Sequence, residues 1–310
     1  MQAPLVRVAT IVLTILSAMA LLFLLTTLVP GDPATALLGP EASPAAAQQF
    51  RVEMGLDKPF LSRIGIFFGR LLMGNLGTDV LSGRPVLGVV LAAVPPTLAL
   101  TAAAIGLSVL VSVPLGVVAA LRPGSLLDHG LAGLSVTLIA IPGFVVAIGL
   151  LLVFSVWLDW LPVLGAGDGS FGDTARRLIL PAVALAVGWI GFLARLVRTS
   201  MLEVLGQPYI RTARAYGLPA RQVVYKYALK NALVPALAVL GLGVGRLLGG
   251  AVLIEIVFAR PGLGRLMLDA INARNFPVLQ GAVLMVVTLF VLANQVADMA
   301  LGAIDPRTRK

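Results

Sequence analysis

The stretch that decides the fold runs from Tyr209 to Pro235 and reads YIRTARAYGLPARQVVYKYALKNALVP. It contains five Lys or Arg residues and no acidic residue, whereas charged residues make up only 12% of the chain. Long apolar runs lie on both sides of it. Short basic segments between long apolar runs are typical of the cytoplasmic loops of membrane proteins. We therefore expect a loop between two membrane spans.

The composition assigns the chain to the membrane. Of its 310 residues, 59% are hydrophobic and 12% are charged, whereas about a quarter are charged in an ordinary soluble domain. The net charge of +9 would suggest nucleic acid for a soluble protein, but in a membrane protein the placement of cations relative to the spans matters more. We expect no nucleic-acid partner. With no cysteine and one histidine, disulfides, thiolate metal sites and cysteine nucleophiles are excluded.

Several apolar runs are long enough to cross the ~30 Å hydrocarbon layer, which needs about 20 residues. They predict an all-α integral membrane protein with about six transmembrane helices. The first run is longer than the apolar core of a signal peptide, so we predict that it spans the membrane. The runs are Val8–Val29, Pro95–Leu121, Leu131–Trp157, Leu178–Val197, Leu233–Ile254 and Val278–Leu301.

The distribution of Lys and Arg predicts the orientation. The segment from Arg195 to Lys230 has seven basic residues and one acid, whereas Gly31 to Val90 has five of each. Because cytoplasmic loops carry the excess of Lys and Arg, we expect both termini to be cytoplasmic. The predicted segments are an N-terminal span (1–30), an extracytoplasmic segment (31–90), a core of about five spans (91–302) and a cytoplasmic tail (303–310).

The core contains two loops that are long enough to have a task of their own. One is the basic loop, 198–232. The other is external, 256–277, in which Pro261-Gly262 breaks the chain before a short amphipathic run. We predict a short helix after that break.

The basic loop begins with a helical pattern. Tyr209, Ala213 and Tyr216 are spaced to share one apolar face, and Arg211 and Arg214 lie elsewhere on the helix.

Gly217 is a natural helix stop, and Pro219 is suited to the first turn of a second helix. That helix has an apolar stripe of its own, formed by Val223, Val224, Tyr227 and Ala228. The pattern predicts two short amphipathic helices joined by a sharp bend. Such an element docks in a groove of a soluble partner or lies on anionic headgroups. The fixed corner favours docking, since a lipid anchor gains nothing from it.

The run RTARAYGLP, Arg211 to Pro219, resembles the coupling ("EAA") loop of ABC-importer permeases, in the form found in the dipeptide/oligopeptide/nickel permease family. The resemblance covers nearly the whole chain in order. Two positions depart from the general pattern: Arg211 and Thr212 replace its acid and first alanine, and the expected proline near Lys230 is absent until Pro235. The other matching segments are LVPGDPATALLGP, MGLDKPF, GNLGTDVLSGRPV, LLGGAVLIEIVFARPGLGRLMLDAI and the closing DPR.

The resemblance implies a type I ABC-importer permease in the inner membrane. Its partners would be a second homologous permease, two ATPase subunits that use ATP and Mg²⁺, and an extracytoplasmic solute-binding protein, with no cofactor bound by this chain. No G-x-x-x-x-G-K-[ST] phosphate loop occurs in the sequence, so nucleotide chemistry belongs to another chain and this chain is not an enzyme. The residues implied in ATPase coupling are Arg211, Thr212, Ala213, Arg214, Ala215, Tyr216, Gly217 and Leu218.

The solute implied by the family is a short peptide, and nickel chelates and glutathione are alternatives within it. An ion-coupled carrier is the rival from another class. Such a carrier needs acids inside its spans, and the predicted spans contain almost none apart from Asp298.

Arg246 is the one basic residue predicted deep in a span, and ionisable groups there usually face a cavity or a partner. Arg246 and Glu255 are candidates for the translocation path or the permease interface. Nine residues, about 13 Å along a helix, separate the two, so a direct pair is not expected. By resemblance, the external loop contacts the binding protein through Arg260, Pro261, Gly262 and Arg265.

Two protease patterns are set aside. The string from Gly165 to Asp168 matches G-x-G-D, but that chemistry needs two carboxylates together in the membrane. Ser108 and Ser135 would need a base, and the single histidine, His129, lies in a predicted turn. We expect Asp168 and His129 to be turn residues.

Overall fold

The computed structural model describes residues 4–28, 43–53, 57–162, 165, 167 and 169–304. Regular structure in these ranges is helical, apart from an isolated antiparallel bridge between Thr78 and Pro85. The helices are α1 (Pro4–Leu28), α2 (Pro44–Glu53), α3 (Phe60–Leu72), α4 (Val86–Leu121), α5 (Leu126–Ala140), α6 (Gly143–Trp157), α7 (Phe171–Leu205), α8 (Pro208–Ala215), α9 (Ala220–Val257), α10 (Leu263–Asn272) and α11 (Phe276–Ile304).

Five of these helices are long and apolar enough to cross a membrane, and α5 with α6 makes a sixth span if the bent pair crosses once. The prediction of about six helical spans is therefore confirmed. The five are α1, α4, α7, α9 and α11.

The third predicted span, Leu131–Trp157, is wrong as a single helix. It consists of parts of α5 and α6, which are bent by 100° relative to each other. Pro142 caps the start of α6, and Ile141 before it is extended at φ −82° and ψ 123°. The residue before a proline is disfavoured in the helical region, and this local constraint breaks the span.

The two spans on either side of the basic loop are longer than the apolar runs predicted for them. α7 has 35 residues and α9 has 38, so each is more than 50 Å long at about 1.5 Å per residue. The ~30 Å hydrocarbon layer covers only part of either helix. Both therefore extend beyond it, and α8 connects the C-terminal end of α7 to the N-terminal end of α9.

The chain forms two compact units. The first consists of Thr97–Arg260 with Phe290–Lys310, and the second of Gln2–Pro96 with Pro261–Leu289. In the first unit, a Cβ added to Gly243 of α9 would lie 2.2 Å from the Trp189 ring of α7. Small residues of this kind let membrane helices pack closely. The second unit has an apolar core in which α4, α10 and α11 meet, formed by Val86, Val90, Leu263, Ala270, Val278, Leu279 and Ala282.

Candidate functional site: the bent element between α7 and α9

Residues 207–219, which we call the elbow, form a sharp corner between two long helices. α7 ends at Leu205, and α8 begins with Pro208 at its first position, where the missing N–H is no loss. α8 is eight residues long and ends at Ala215. Such a short helix is marginal alone, so its packing must hold it.

A Schellman motif makes the corner. The Leu218 N–H donates to the Ala213 carbonyl at 3.3 Å, and the Gly217 N–H donates to the Arg214 carbonyl at 2.9 Å. Gly217 has φ +74°, the left-handed conformation that this motif requires. A Cβ at this position would meet nothing within 4 Å. The glycine is therefore required by the backbone angle and not by lack of space.

The buried face of α8 differs from the predicted one. Ile210 is fully buried and Ala213 is 8% exposed, whereas Tyr216 is 83% exposed. Tyr209 is also exposed, and its hydroxyl accepts a hydrogen bond from Asn231 Nδ2 at 2.8 Å. The predicted Tyr209–Ala213–Tyr216 stripe is thus wrong except at Ala213, because the tyrosine hydroxyls favour positions where they reach a polar partner or water.

The buried residues of the elbow belong to a cluster formed by α4, α7, α8 and α9. Ile210 and Ala213 enter it from α8. The long helices contribute Val117, Ala120, Val197, Met201, Val223, Val224, Ala228, Ala232 and Ala236. Displacement of α8 therefore acts directly on α7 and α9.

The second predicted short helix is wrong. Ala220 to Val257 is one helix, with a π-helical stretch from Val223 to Ala228 and with Pro235 inside it. The buried positions Val223, Val224 and Ala228 agree with the predicted stripe. The elbow therefore contains one short helix, α8, and Gly217 joins it to the N-terminal end of the long helix α9.

The outer face of the elbow is polar and open. Arg211, Arg214, Ala215 and Tyr216 are exposed. Thr212 is exposed too, and its hydroxyl donates a hydrogen bond to the Pro208 carbonyl. The face formed by Arg211, Thr212, Arg214, Ala215 and Tyr216 is what the elbow offers to a partner.

A partly buried ion pair lies in the same unit as the elbow. Arg198 of α7 donates through Nε and Nη2 to Asp128 of α5, with Nη2 to Oδ2 at 2.7 Å. Asp128 is 5% exposed and also accepts from the Gly124 N–H at 2.9 Å. The pair ties the turn before α5 to α7. The sequence analysis did not predict this ion pair. The signal available in the sequence was Asp128, a single acid in an otherwise basic segment.

The residues of the protease patterns do not form a catalytic pair. Ser108 and Ser135 each donate to a carbonyl of their own helix, four residues earlier. His129 lies in the first turn of α5, so its prediction as a turn residue is wrong, and its ring lies 3.0 Å from the Ser125 carbonyl. Asp168 lies outside the described residues.

The charged residues Arg246, Glu255 and Arg260 have different surroundings. Arg246 is exposed, whereas Glu255 is fully buried. Arg260 is 3% exposed, and its Nη1 donates to the Arg177 carbonyl at 3.4 Å. Burial lowers the pKa of Arg260, and the negative charge of Glu255 opposes that shift. Arg260 is therefore enclosed within the first unit and is not exposed for the expected contact.

The other three expected contact residues belong to the second unit. Pro261 is exposed and Gly262 is buried. Arg265 is partly exposed and forms an ion pair with Asp269 at 3.0 Å. The short helix predicted in this loop is confirmed as α10, Leu263–Asn272.

The second unit also contains a polar cluster that sequence reasoning missed, which we call the Asp79 clamp. The Asp79 carboxylate accepts hydrogen bonds from Ser82 Oγ, from the Leu81 N–H at 3.0 Å, and from Asn275 Nδ2. Partial burial raises the pKa of Asp79, but these hydrogen bonds outweigh it and hold the pKa below the ordinary value. The clamp joins positions 196 residues apart.

The described residues thus form a multi-span helical membrane protein with a bent, exposed basic element between two of its spans. Two family models match this chain: "Binding-protein-dependent transport system inner membrane component" over residues 112–310 and its N-terminal counterpart over 3–101. The chain belongs to this family of transport-system membrane components.

Several relatives match over nearly their whole length. The chain is 39% identical to the di/tripeptide transport system permease protein DppB of Pseudomonas aeruginosa, over 98% of this chain and 97% of that protein. It is 38% identical to the probable D,D-dipeptide transport system permease protein DdpB of Escherichia coli, over 96% and 94%. It is also 38% identical to the glutathione transport system permease protein GsiC of Pectobacterium atrosepticum, over 98% and 97%.

A solved structure shares the fold. An inward-facing structure of the MetNI methionine ABC transporter contains a chain that matches with a TM-score of 0.58 at 22% identity, over 70% of this chain and 96% of that one. The fold is that of a type I ABC-importer permease, as the sequence resemblance implied.

Proposed function

We propose that this chain is the permease subunit of an ATP-driven importer of short peptides. The observation that carries the proposal is the match to peptide permeases over nearly the full length of both chains. Glutathione, the cargo named for another relative, is itself a tripeptide. A short peptide is therefore the solute common to these relatives, and glutathione is the second candidate.

The elbow is the proposed contact with the ATPase subunits. Its outer face is exposed, and its inner residues pack among α7 and α9. When the ATPase dimer closes, the force on α8 moves the bases of two spans together, and the helices change from one access state to the other. The chain contains no phosphate-binding loop motif, so ATP and Mg²⁺ act in the partner subunits.

The complete transporter contains, in this proposal, a second homologous permease, two ATPase subunits and an extracytoplasmic solute-binding protein. Both termini and the elbow lie in the cytoplasm, as the excess of basic residues between Arg195 and Lys230 indicates. The external loops, including the surface residues Pro261 and Arg265, meet the binding protein.

Reconstitution of the complete transporter tests the function. Proteoliposomes containing the four-subunit complex should accumulate labelled di- or tripeptides only with internal ATP and external binding protein. Omission of the ATPase subunits is the control. Accumulation by this chain alone, driven by a proton or sodium gradient, would identify a carrier and refute the proposal. Uptake of a labelled α-linked tripeptide is then measured with excess unlabelled glutathione, and uptake of labelled glutathione with excess unlabelled tripeptide. The solute that inhibits uptake of the other more strongly is the preferred one.

The absence of native cysteines allows a direct test of orientation. Thr212→Cys places a thiol on the elbow, and Leu81→Cys places one in the predicted external segment, where Leu81 is 67% exposed. In intact cells, a membrane-impermeant maleimide should label the second variant and not the first. The opposite pattern would overturn the proposed orientation.

A further inference from the structure

α9 has one face that its own chain leaves uncovered. A Cβ at Gly250 would contact Leu185 of α7, and a Cβ at Gly241 or Gly245 would contact Ala297 or Phe290 of α11. The remaining face recurs at helical spacing and is exposed at five positions, with the half-buried Val239 between the first two. It consists of Pro235, Leu242, Arg246, Gly249 and Leu253.

Arg246 gives this face an unusual chemistry. It is the single charged residue between Lys230 and Glu255, and it lies about 24 Å from the first and about 13 Å from the second along the helix. Among the described residues, no ion pair or hydrogen bond engages its guanidinium. A cation at this depth is costly against lipid and normally faces a water-filled cavity or a partner of opposite charge.

We propose that Arg246 lines the translocation path and binds the C-terminal carboxylate of the transported peptide. This inference rests on the proposed function and names a contact for its solute. A guanidinium binds a carboxylate through two parallel hydrogen bonds, a geometry that lysine does not reproduce. Every short peptide with a free C-terminus carries this group, so one arginine accepts peptides of different sequence.

The neighbours of Arg246 fit this role. A Cβ at Gly249, three residues further along the same face, would meet nothing within 4 Å, which leaves room beside the guanidinium. Leu242 and Leu253 are exposed above and below it and offer apolar contact to peptide side chains. A single charged contact in a wet path also holds a solute weakly enough to release it, as conduction requires.

The test compares two peptides in the complete reconstituted transporter. Trialanine with a free C-terminus and trialanine amide are each presented with saturating binding protein, to complexes containing wild-type chain, Arg246→Gln or Arg246→Lys. Because the same binding protein delivers each peptide to all complexes, its own preference cancels. Arg122→Gln is the matched control, since Arg122 is exposed but lies in the turn between α4 and α5.

Arg246→Gln should lower uptake of the free acid about tenfold and change uptake of the amide less than twofold, since one charge-assisted contact is lost. Arg246→Lys should fall between this variant and the wild type, and Arg122→Gln should match the wild type. Equal losses for both peptides, loss of the second permease from the purified complex, or no change for either peptide would overturn the inference. Failure of the wild type to import trialanine would instead overturn the proposed function, and the inference with it.

Discussion

The corner of the elbow and the Asp79 clamp are closed by hydrogen bonds of different range in the sequence. In the elbow, the capping hydrogen bonds join residues at most five positions apart, as from Leu218 to Ala213. In the clamp, Asp79 binds Asn275 across 196 residues. A corner closed by local bonds keeps its shape when the helices around it move, whereas a long-range bond fixes one segment to another. The first arrangement suits the proposed role of the elbow in transmitting motion, and the second holds two distant segments together.

Substitution of Gly217 should give the largest effect. Gly217→Asp places a charged side chain in the exposed corner, and it strains a backbone held at φ +74°. Because the space is open, the protein should still insert and assemble its spans, but ATP-dependent uptake should be abolished. Uptake into membrane vesicles is the measurement.

A matched glycine separates docking from backbone strain. Gly74 has φ +71° and equally open space, but it follows α3 and lies outside the elbow. Gly74→Asp should retain most of the uptake. Unchanged uptake by the Gly217 variant, or equal losses in both, would contradict the role assigned to the corner.

Loss of the clamp should give a smaller, local effect. Asn275→Ala removes a hydrogen bond to a carboxylate, which contributes about 1.5–3 kcal/mol. Hydrogen exchange at the Leu81 amide should become roughly tenfold faster or more, while exchange in α7 stays the same. Asp79→Ala combined with Asn275→Ala should be no worse than Asp79→Ala alone. Additive effects in the double variant would show that the two side chains act independently.

Removal of the elbow arginines should have a weaker effect than the glycine substitution. Arg211→Ala with Arg214→Ala should reduce co-purification of the ATPase subunits about five- to tenfold, because exposed interface charges act mainly on association. Lys226→Ala with Lys230→Ala is the control, since both residues are exposed on α9. Retained ATPase binding combined with altered sensitivity to anionic lipid would instead favour a headgroup anchor.

The pH dependence of the clamp should be the smallest effect. Hydrogen bonding lowers the pKa of Asp79 in the folded state from its ordinary value of 3.8. The clamp therefore stabilises the loop fully above that ordinary value, and the stabilisation is lost as pH falls through the lower folded-state pKa. Protection of the Leu81 amide, corrected for intrinsic exchange, should be constant between pH 8 and about 5. A loss of protection near pH 6 would show that another group controls the loop.

Local sequence patterns were enough to predict the helical membrane fold, the bend at Gly217 and the short helix after Pro261-Gly262. Each depends on local chemistry: span length follows from the thickness of the hydrocarbon layer, and a glycine or proline restricts the backbone where it stands. The resemblance to transport permeases was also local, because it depended on short motifs and on their order along the chain.

Three features could be read only from the folded chain: the buried face of α8, the unbroken course of α9 from Ala220, and the hydrogen bond between Asp79 and Asn275. It also paired Asp128 with Arg198, although the histidine next to Asp128 is its nearer neighbour in sequence. These features depend on contacts between residues far apart in the chain, and local periodicity carries no information about such contacts. Where two or more faces of a helix are about equally apolar, packing against the neighbouring helices determines which face is buried.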